Sequence, residues 1–175
     1  MEEVVHQTCK MLSAANVELA EAAVECLGSL RGKPLESLAR NLNPFKEEAV
    51  STSSKNRANR VKLRAHITRL YRLLLQNLGS GDFKDHPSLL ADIIAFLLAN
   101  AEFVRDPVQF FGGDDTEALL FEQCIASRLL SVHLLDKGMM KGAHKLLPPG
   151  PRYSLFALMT AVSGFGQLGR QTSRD

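Results

Sequence analysis

The side chains with the widest chemical range in this chain are five histidines, three cysteines and one dense run of basic residues. His6, His66, His86, His133 and His144 are dispersed, and none sits beside a Cys or an acid pair at a spacing that suggests catalysis. His133 lies in an apolar run and is expected to be a hydrogen-bonded core or boundary residue. Cys9, Cys26 and Cys124 lie far apart and form no Cys-x-x-Cys pair, so neither a zinc site nor a disulfide framework is indicated. Buried free thiols are expected. Asp114 and Asp115 directly precede a helix start, where carboxylates cap the backbone. The chain has no Gly-x-x-x-x-Gly-Lys phosphate loop, no Gly-x-Gly-x-x-Gly after a strand, no Gly-x-Ser-x-Gly elbow and no His-Glu-x-x-His. No catalytic, metal or cofactor-binding residue is assigned, and a non-enzymatic protein is expected.

The sharpest feature is charge. Lys55, Arg57, Arg60, Lys62, Arg64, Arg69 and Arg72 fall within eighteen residues, and no acid occurs between Glu48 and Asp82, in a chain of net charge +2. On a helix, Leu63, Ile67, Leu70 and Leu74 stack along one stripe, Lys62, Arg69 and Arg72 point largely away from it, and Arg57 and Arg64 flank it. The basic side chains are therefore expected to stay solvated while the helix packs. Such a face is either plain solvated surface or a docking surface for an acidic partner: a carboxylate-rich helix, a phosphorylated segment, a tubulin tail or an anionic lipid. A basic, nucleic-acid-associated helical protein is the alternative. It ranks lower because the isoelectric point near 8.5 is mild and Tyr71 is the sole aromatic in the run.

The elements that must carry these residues are helices. Apolar residues recur at three- and four-residue steps along the chain, and no stretch alternates long enough to argue for a sheet. Val5, Cys9 and Leu12 mark a first helix; Asn16 caps a second, which Gly28 and Gly32 end. Pro34 opens a short helix expected to stop near Asn43 before Pro44, with a further turn from Phe45 to Val50. The basic helix runs from about Lys55 to Leu78 and closes at Gly79-Ser80-Gly81. A very apolar helix follows from Pro87 or Ser88 to about Glu102 and is expected to be central. A loop holding Phe110 and Phe111 leads to a long helix from Asp114 or Asp115 to about Lys137. Shorter helices around 139–147 and 152–162 flank the corner Pro148-Pro149-Gly150-Pro151.

The fold class is thus all-α: an α-solenoid of HEAT- or armadillo-like helix pairs, or an irregular helical bundle. With 175 residues, 45% hydrophobic and 23% charged, one domain over 1–165 is expected, followed by a disordered polar tail over 166–175. No apolar stretch approaches the length of a membrane span, and the acidic start Met1-Glu2-Glu3 is unlike a secretory signal, so a cytoplasmic protein is expected.

Val24-Glu25-Cys26-Leu27-Gly28, then Pro44 with Glu48-Ala49, then Arg64-Ala65-His66-Ile67-Thr68-Arg69-Leu70-Tyr71-Arg72-Leu73-Leu74 resembles, in order and spacing, a segment of the Furry family of cell-morphogenesis proteins. Leu147-Pro148, then Arg152-Tyr153-Ser154-Leu155-Phe156-Ala157-Leu158, then Ser163-Gly164-Phe165-Gly166, is similar to a later segment of that family. Val162 stands where the family tends to have Trp, and Val61 replaces an acid in the basic helix. The resemblance implies an internal segment, or a shortened relative, of a long HEAT- or armadillo-like scaffold in the cytoplasm, at the cell cortex or at sites of polarised growth. It implies action with NDR-type kinases and their Mob co-activators, with no catalytic residue and no cofactor.

Overall fold

A computed structural model describes residues 2–51, 57–105 and 114–135. These form α1 (Glu2–Met11), α2 (Val17–Gly28), α3 (Pro34–Val50), α4 (Arg57–Asn77), α5 (Ser80–Asp85), α6 (Pro87–Arg105) and α7 (Asp114–Leu135), with no strand among the described residues. The all-α expectation is met. The predicted loop at 106–113, the helices predicted at 139–147 and 152–162, and the tail at 166–175 lie outside the described residues.

Local signals set most helix ends. Asn16 Oδ1 accepts the Leu19 N–H at 3.2 Å, satisfying one of the orphan donors at the start of α2. Gly32 takes φ +62°, a left-handed conformation that turns the chain toward Pro34. Contrary to expectation, α3 runs without a break through Pro44 to Val50. A proline inside a helix forgoes one backbone hydrogen bond, a cost of about 3 kcal/mol. Here burial on both sides of Pro44 offsets that cost: Leu42 and Ala49 are fully buried, and Phe45 and Val50 pack against the core. The short α5 follows Gly79, and Asp82 Oδ2 accepts the Gly79 N–H at 2.8 Å to close its first turn.

The helices pack as three successive pairs, α1 with α2, α3 with α4, and α6 with α7, with α5 inserted before the last. Neighbouring pairs also touch like to like. α3 packs on α1 and α6 to make one layer, while α4 packs on α2 and α7 to make the other. Within the second layer the helices run parallel. Glu21 and Gly28 of α2 meet Arg69 and Asn77 of α4 in chain order, and Lys62 and Leu75 of α4 meet Asp115 and His133 of α7. Across the layers α4 and α6 are antiparallel, with Arg64 against Asn100 and Tyr71 against Phe96. Two layers of stacked helix pairs are compatible with an α-solenoid and with an irregular helical bundle.

The core runs between the layers. It holds Leu12, Leu27, Leu35, Leu38, Leu42, Ile67, Leu70, Tyr71 and Leu74, all essentially inaccessible. The apolar α6 buries Leu89, Leu90, Ile93, Ile94, Phe96 and Leu97, as its composition predicts. The centre of the molecule is nonetheless α4, which touches α2, α3, α6 and α7. Of the cysteines, Cys9 is buried and Cys124 half-buried, but Cys26 is exposed, a departure from the expected set of buried thiols. Cys26 falls on the side of α2 opposite its packed residues Val24, Leu27 and Gly28. Among the described residues no helix is long and apolar enough to cross a membrane.

Candidate functional site

The basic helix is the sequence-predicted site, and its placement at the centre changes what its charges can do. Lys55 lies outside the described residues. Arg57 is half-buried and engaged in an interaction of its own at the start of α4. Arg60 and Arg64, one turn apart, are buried, only 9% and 5% exposed. The expected solvated flank is therefore interior.

Arg64 is held by neutral groups. Its Nη1 donates to Asn100 Oδ1 at 2.8 Å, and its guanidinium lies 4.2 Å from the ring centroid of Phe103. The network closes on itself: Asn100 Nδ2 donates to Thr68 Oγ1 at 2.7 Å, and Thr68 Oγ1 donates to the Arg64 carbonyl at 2.7 Å. Burial, and then the neighbouring Arg60 charge, pull the Arg64 guanidinium down to about 10, so it stays charged near neutral pH. A cation held over an aromatic face and hydrogen-bonded to an amide keeps part of the solvation that burial removes.

The three residues expected to point into solvent each meet a carboxylate from a neighbouring helix. Arg72 forms a two-pronged pair with Glu122 of α7, its Nε on Oε2 and its Nη2 3.4 Å from Oε1, and its Nη1 donates to Gln76 at 2.9 Å. Both side chains of this pair are largely buried, at 16% and 11% exposure. Arg69 reaches the other flank, with Nη2 2.7 Å from Glu25 and Nη1 3.3 Å from Glu21, both on α2. Lys62 Nζ stands 3.8 Å from Asp115, where both side chains are about half exposed. The physical reason is the two-layer packing. A helix with neighbours on both flanks keeps only a narrow exposed strip, so charges that point away from its apolar stripe reach toward α2 and α7. The basic run and the acids of α2 and α7 are a matched set, and the run is not one open cationic surface.

The histidines serve the same packing. His66 Nδ1–H donates to the Leu12 carbonyl at 2.9 Å, His6 Nδ1–H to Asn41 Oδ1 at 2.9 Å, and His133 Nε2–H to the Leu75 carbonyl at 2.7 Å. His133 also stands edge-on to Phe83, 5.1 Å between centroids, which fits the expected boundary histidine. Two clefts open nearby. One of about 330 Å³ lies between α3 and α6, lined by Val50, Ala95, Phe96 and Ala99 and bridged by Lys46 and Asp92 at 3.1 Å. The other, about 320 Å³, lies where Ser13, Glu48, Asn59, Lys62, His66 and Asp115 converge. No group of three or more metal-binding side chains forms among the described residues.

Sequence reasoning missed the exposed apolar residues at the ends of the stack. Among the described residues the large exposed ones are Val4, Met11, Val17 and Leu19 on the first pair and Phe121 and Val132 on α7. None lies on α3 or α4. Compared with protein-family models, with curated proteins and with solved structures, the chain finds no match.

Two of the residue groups quoted for the Furry-like resemblance, 24–28 and 64–74, meet in space. Glu25 pairs with Arg69, the Gly28 carbonyl accepts from Asn77 Nδ2 at 3.1 Å, and a Cβ placed on Gly28 would lie 2.7 Å from Leu73 Cβ. Glu25, Gly28, Arg69 and Leu73 of those groups thus form part of the contact between α2 and α4. The later residue group, 147–166, lies outside the described residues.

Proposed function

We propose that this chain is a non-enzymatic scaffold segment that binds other proteins through the ends of its helix stack. The observation that carries this reading is the position of the exposed apolar side chains, all on the outermost described elements. A helix pair inside a stack buries both of its sides, whereas an end pair leaves one apolar side open for the next element or for a partner. The resemblance supplies the biological setting: a Furry-like scaffold acting in cell morphogenesis and polarised growth in the cytoplasm, with NDR-type kinases and Mob co-activators as partners. Two of the residue groups quoted for it, 24–28 and 64–74, pack against each other through Gly28, Leu73, Glu25 and Arg69.

Docking of an acidic partner on the basic run is the weaker form of the idea, because Arg69 and Arg72 already hold Glu21, Glu25 and Glu122. The test is affinity capture from cell extract with the full chain as bait. The expected result is recovery of a kinase, its co-activator or a cytoskeletal protein, with capture lost in Phe121→Asp at unchanged thermal midpoint. Recovery of none of these classes would sink the proposal. Capture lost in Lys62→Glu but kept in Phe121→Asp would return the binding surface to the basic helix.

A further inference from the structure

The outer face of the first helix pair can be assigned from its neighbours. On α1, His6 hydrogen-bonds Asn41 and Glu2 pairs with Arg40, which fixes the side turned toward α3. At the α-helical period, Val4 lies about 160° and Met11 about 140° from His6, so both point away from α3. On α2, Glu21 and Glu25 fix the side turned toward α4 through Arg69. Leu19 lies about 160° and Cys26 about 140° from Glu21, so these two point away from α4. Val4 is 60% exposed, Leu19 43% and Met11 38%, and Ala22 beside them is exposed as well. One surface thus carries two parallel rows of apolar or small side chains across both helices.

The charges on α1 favour one arrangement of an occupant. Glu3 stands near the start of the helix and Lys10 near its end, both exposed, with Gln7 between them. If two copies of α1 meet antiparallel about an axis near Gln7, Val4 of one lies opposite Met11 of the other. Glu3 then lies opposite Lys10, and each contact occurs twice. A parallel meeting would instead set Glu3 against Glu3 and Lys10 against Lys10. Antiparallel helices also oppose their dipoles favourably. A surface that complements itself under a two-fold rotation is what an isologous dimer requires. α1 alone, about 15 Å long and about 10 Å across, offers far less than the roughly 800 Å² per partner of a stable interface, so the α2 row must take part.

We infer that this face, Val4 and Met11 of α1 with Leu19, Ala22 and Cys26 of α2, is where a second copy of the chain docks about a two-fold axis. This deepens the reading of the stack ends as interaction surfaces, on which it rests. The test measures the mass of the full chain against concentration by sedimentation equilibrium. The wild type is expected to double its mass as concentration rises. Lys10→Glu should weaken dimerisation about tenfold or more, because it places like charges at both ends of the contact. The double variant Glu3→Lys/Lys10→Glu should restore it, and an equimolar mixture of Glu3→Lys with Lys10→Glu should form a mixed dimer. Cys26, the exposed thiol, should be alkylated more slowly in the dimer than in the monomer, while circular dichroism confirms that each variant stays folded. A wild type that is monomeric at every concentration overturns the inference. So does a dimer in which the charge swap fails to restore association and Cys26 reacts at its monomer rate, since another face would then be in use. A monomer that still captures a kinase or co-activator refutes this inference alone. A dimer that captures none of the proposed partner classes refutes the scaffold reading alone.

Discussion

α4 and α6 cross where Arg64 meets Asn100 and Tyr71 meets Phe96, yet they reach burial by opposite routes. α6 presents apolar residues on several sides and is covered by hydrophobic contacts through Leu90, Ile93, Ile94 and Leu97. α4 carries six basic residues between Arg57 and Arg72 and is the more enclosed of the two. It tolerates that position because its neighbours bring matching groups: Glu122 and Asp115 from α7, Glu21 and Glu25 from α2, and Asn100 from α6 itself. The difference teaches that apolar composition shows that a helix can be buried, whereas its surroundings decide whether a charged helix will be.

The largest effect belongs to α6 at Ile94 and Leu97, whose apolar side chains are buried in the core. Ile94→Asp or Leu97→Asp should unfold the chain, because an unpaired carboxylate in such a site costs several kcal/mol, about the whole stability of a domain of this size. A thermal melt monitored by circular dichroism checks this, and a preserved midpoint would show that α6 is dispensable to the core.

On α4 the corresponding break is electrostatic. Glu122→Ala leaves the largely buried Arg72 without its carboxylate and should cost about 3 kcal/mol in urea unfolding. Replacing both partners, Arg72→Met with Glu122→Leu, should cost far less, since no charge is then stranded. Equal losses in the single and double variants would mean that the pair matters for packing alone.

A smaller effect is expected where α2 meets α4. Gly28→Ala gains up to about 1 kcal/mol of helix propensity. The new Cβ, however, meets Leu73 Cβ at 2.7 Å, an atom fixed to the backbone, so the helices must separate. The net result should be a loss of about 1–2 kcal/mol. A stabilised variant would show that the two helices can part freely.

The smallest effects belong to the exposed pairs and to Cys9. Lys62→Ala should change stability by no more than about 0.5 kcal/mol, and added salt should erase the difference while leaving the Glu122→Ala loss nearly intact. The Cys9 thiol is pushed by burial from an ordinary 9.0 up to about 12. The unfolded chain therefore releases this proton at lower pH than the folded one, and stability should decline as pH rises above 9. Cys9→Ala should remove that part of the decline, as urea titrations at pH 8 and pH 10 can show.

Triple reversal of Lys62, Arg69 and Arg72 to Glu separates the two views of α4. If the basic residues formed a solvated face, the variant would fold with little change. With Asp115, Glu21, Glu25 and Glu122 opposite them, the reversal sets like charges against each other across two interfaces and should destabilise strongly. A fully stable variant would reinstate the solvated face.

The sequence by itself determined the helical class and most helix ends, because those depend on residues close in the chain. Apolar spacing, the Asn16 cap, Pro34 at a helix start and Gly32 in its turn all act within a few positions. It also marked Leu63, Ile67, Leu70 and Leu74 as buried, since a helical stripe needs only periodicity to be recognised. Only the tertiary structure decided that α3 continues through Pro44, because the compensating burial of Leu42 and Ala49 comes from other helices. It alone placed Arg60 and Arg64 in the interior and turned Lys62, Arg69 and Arg72 onto carboxylates distant in the chain. The same holds for the exposed row of Val4, Met11 and Leu19, which is visible only once α3 and α4 have covered the other sides of their helices. The physical reason is range: propensity, capping and periodicity act over one or two turns, whereas desolvation and charge pairing depend on which segments meet across the fold.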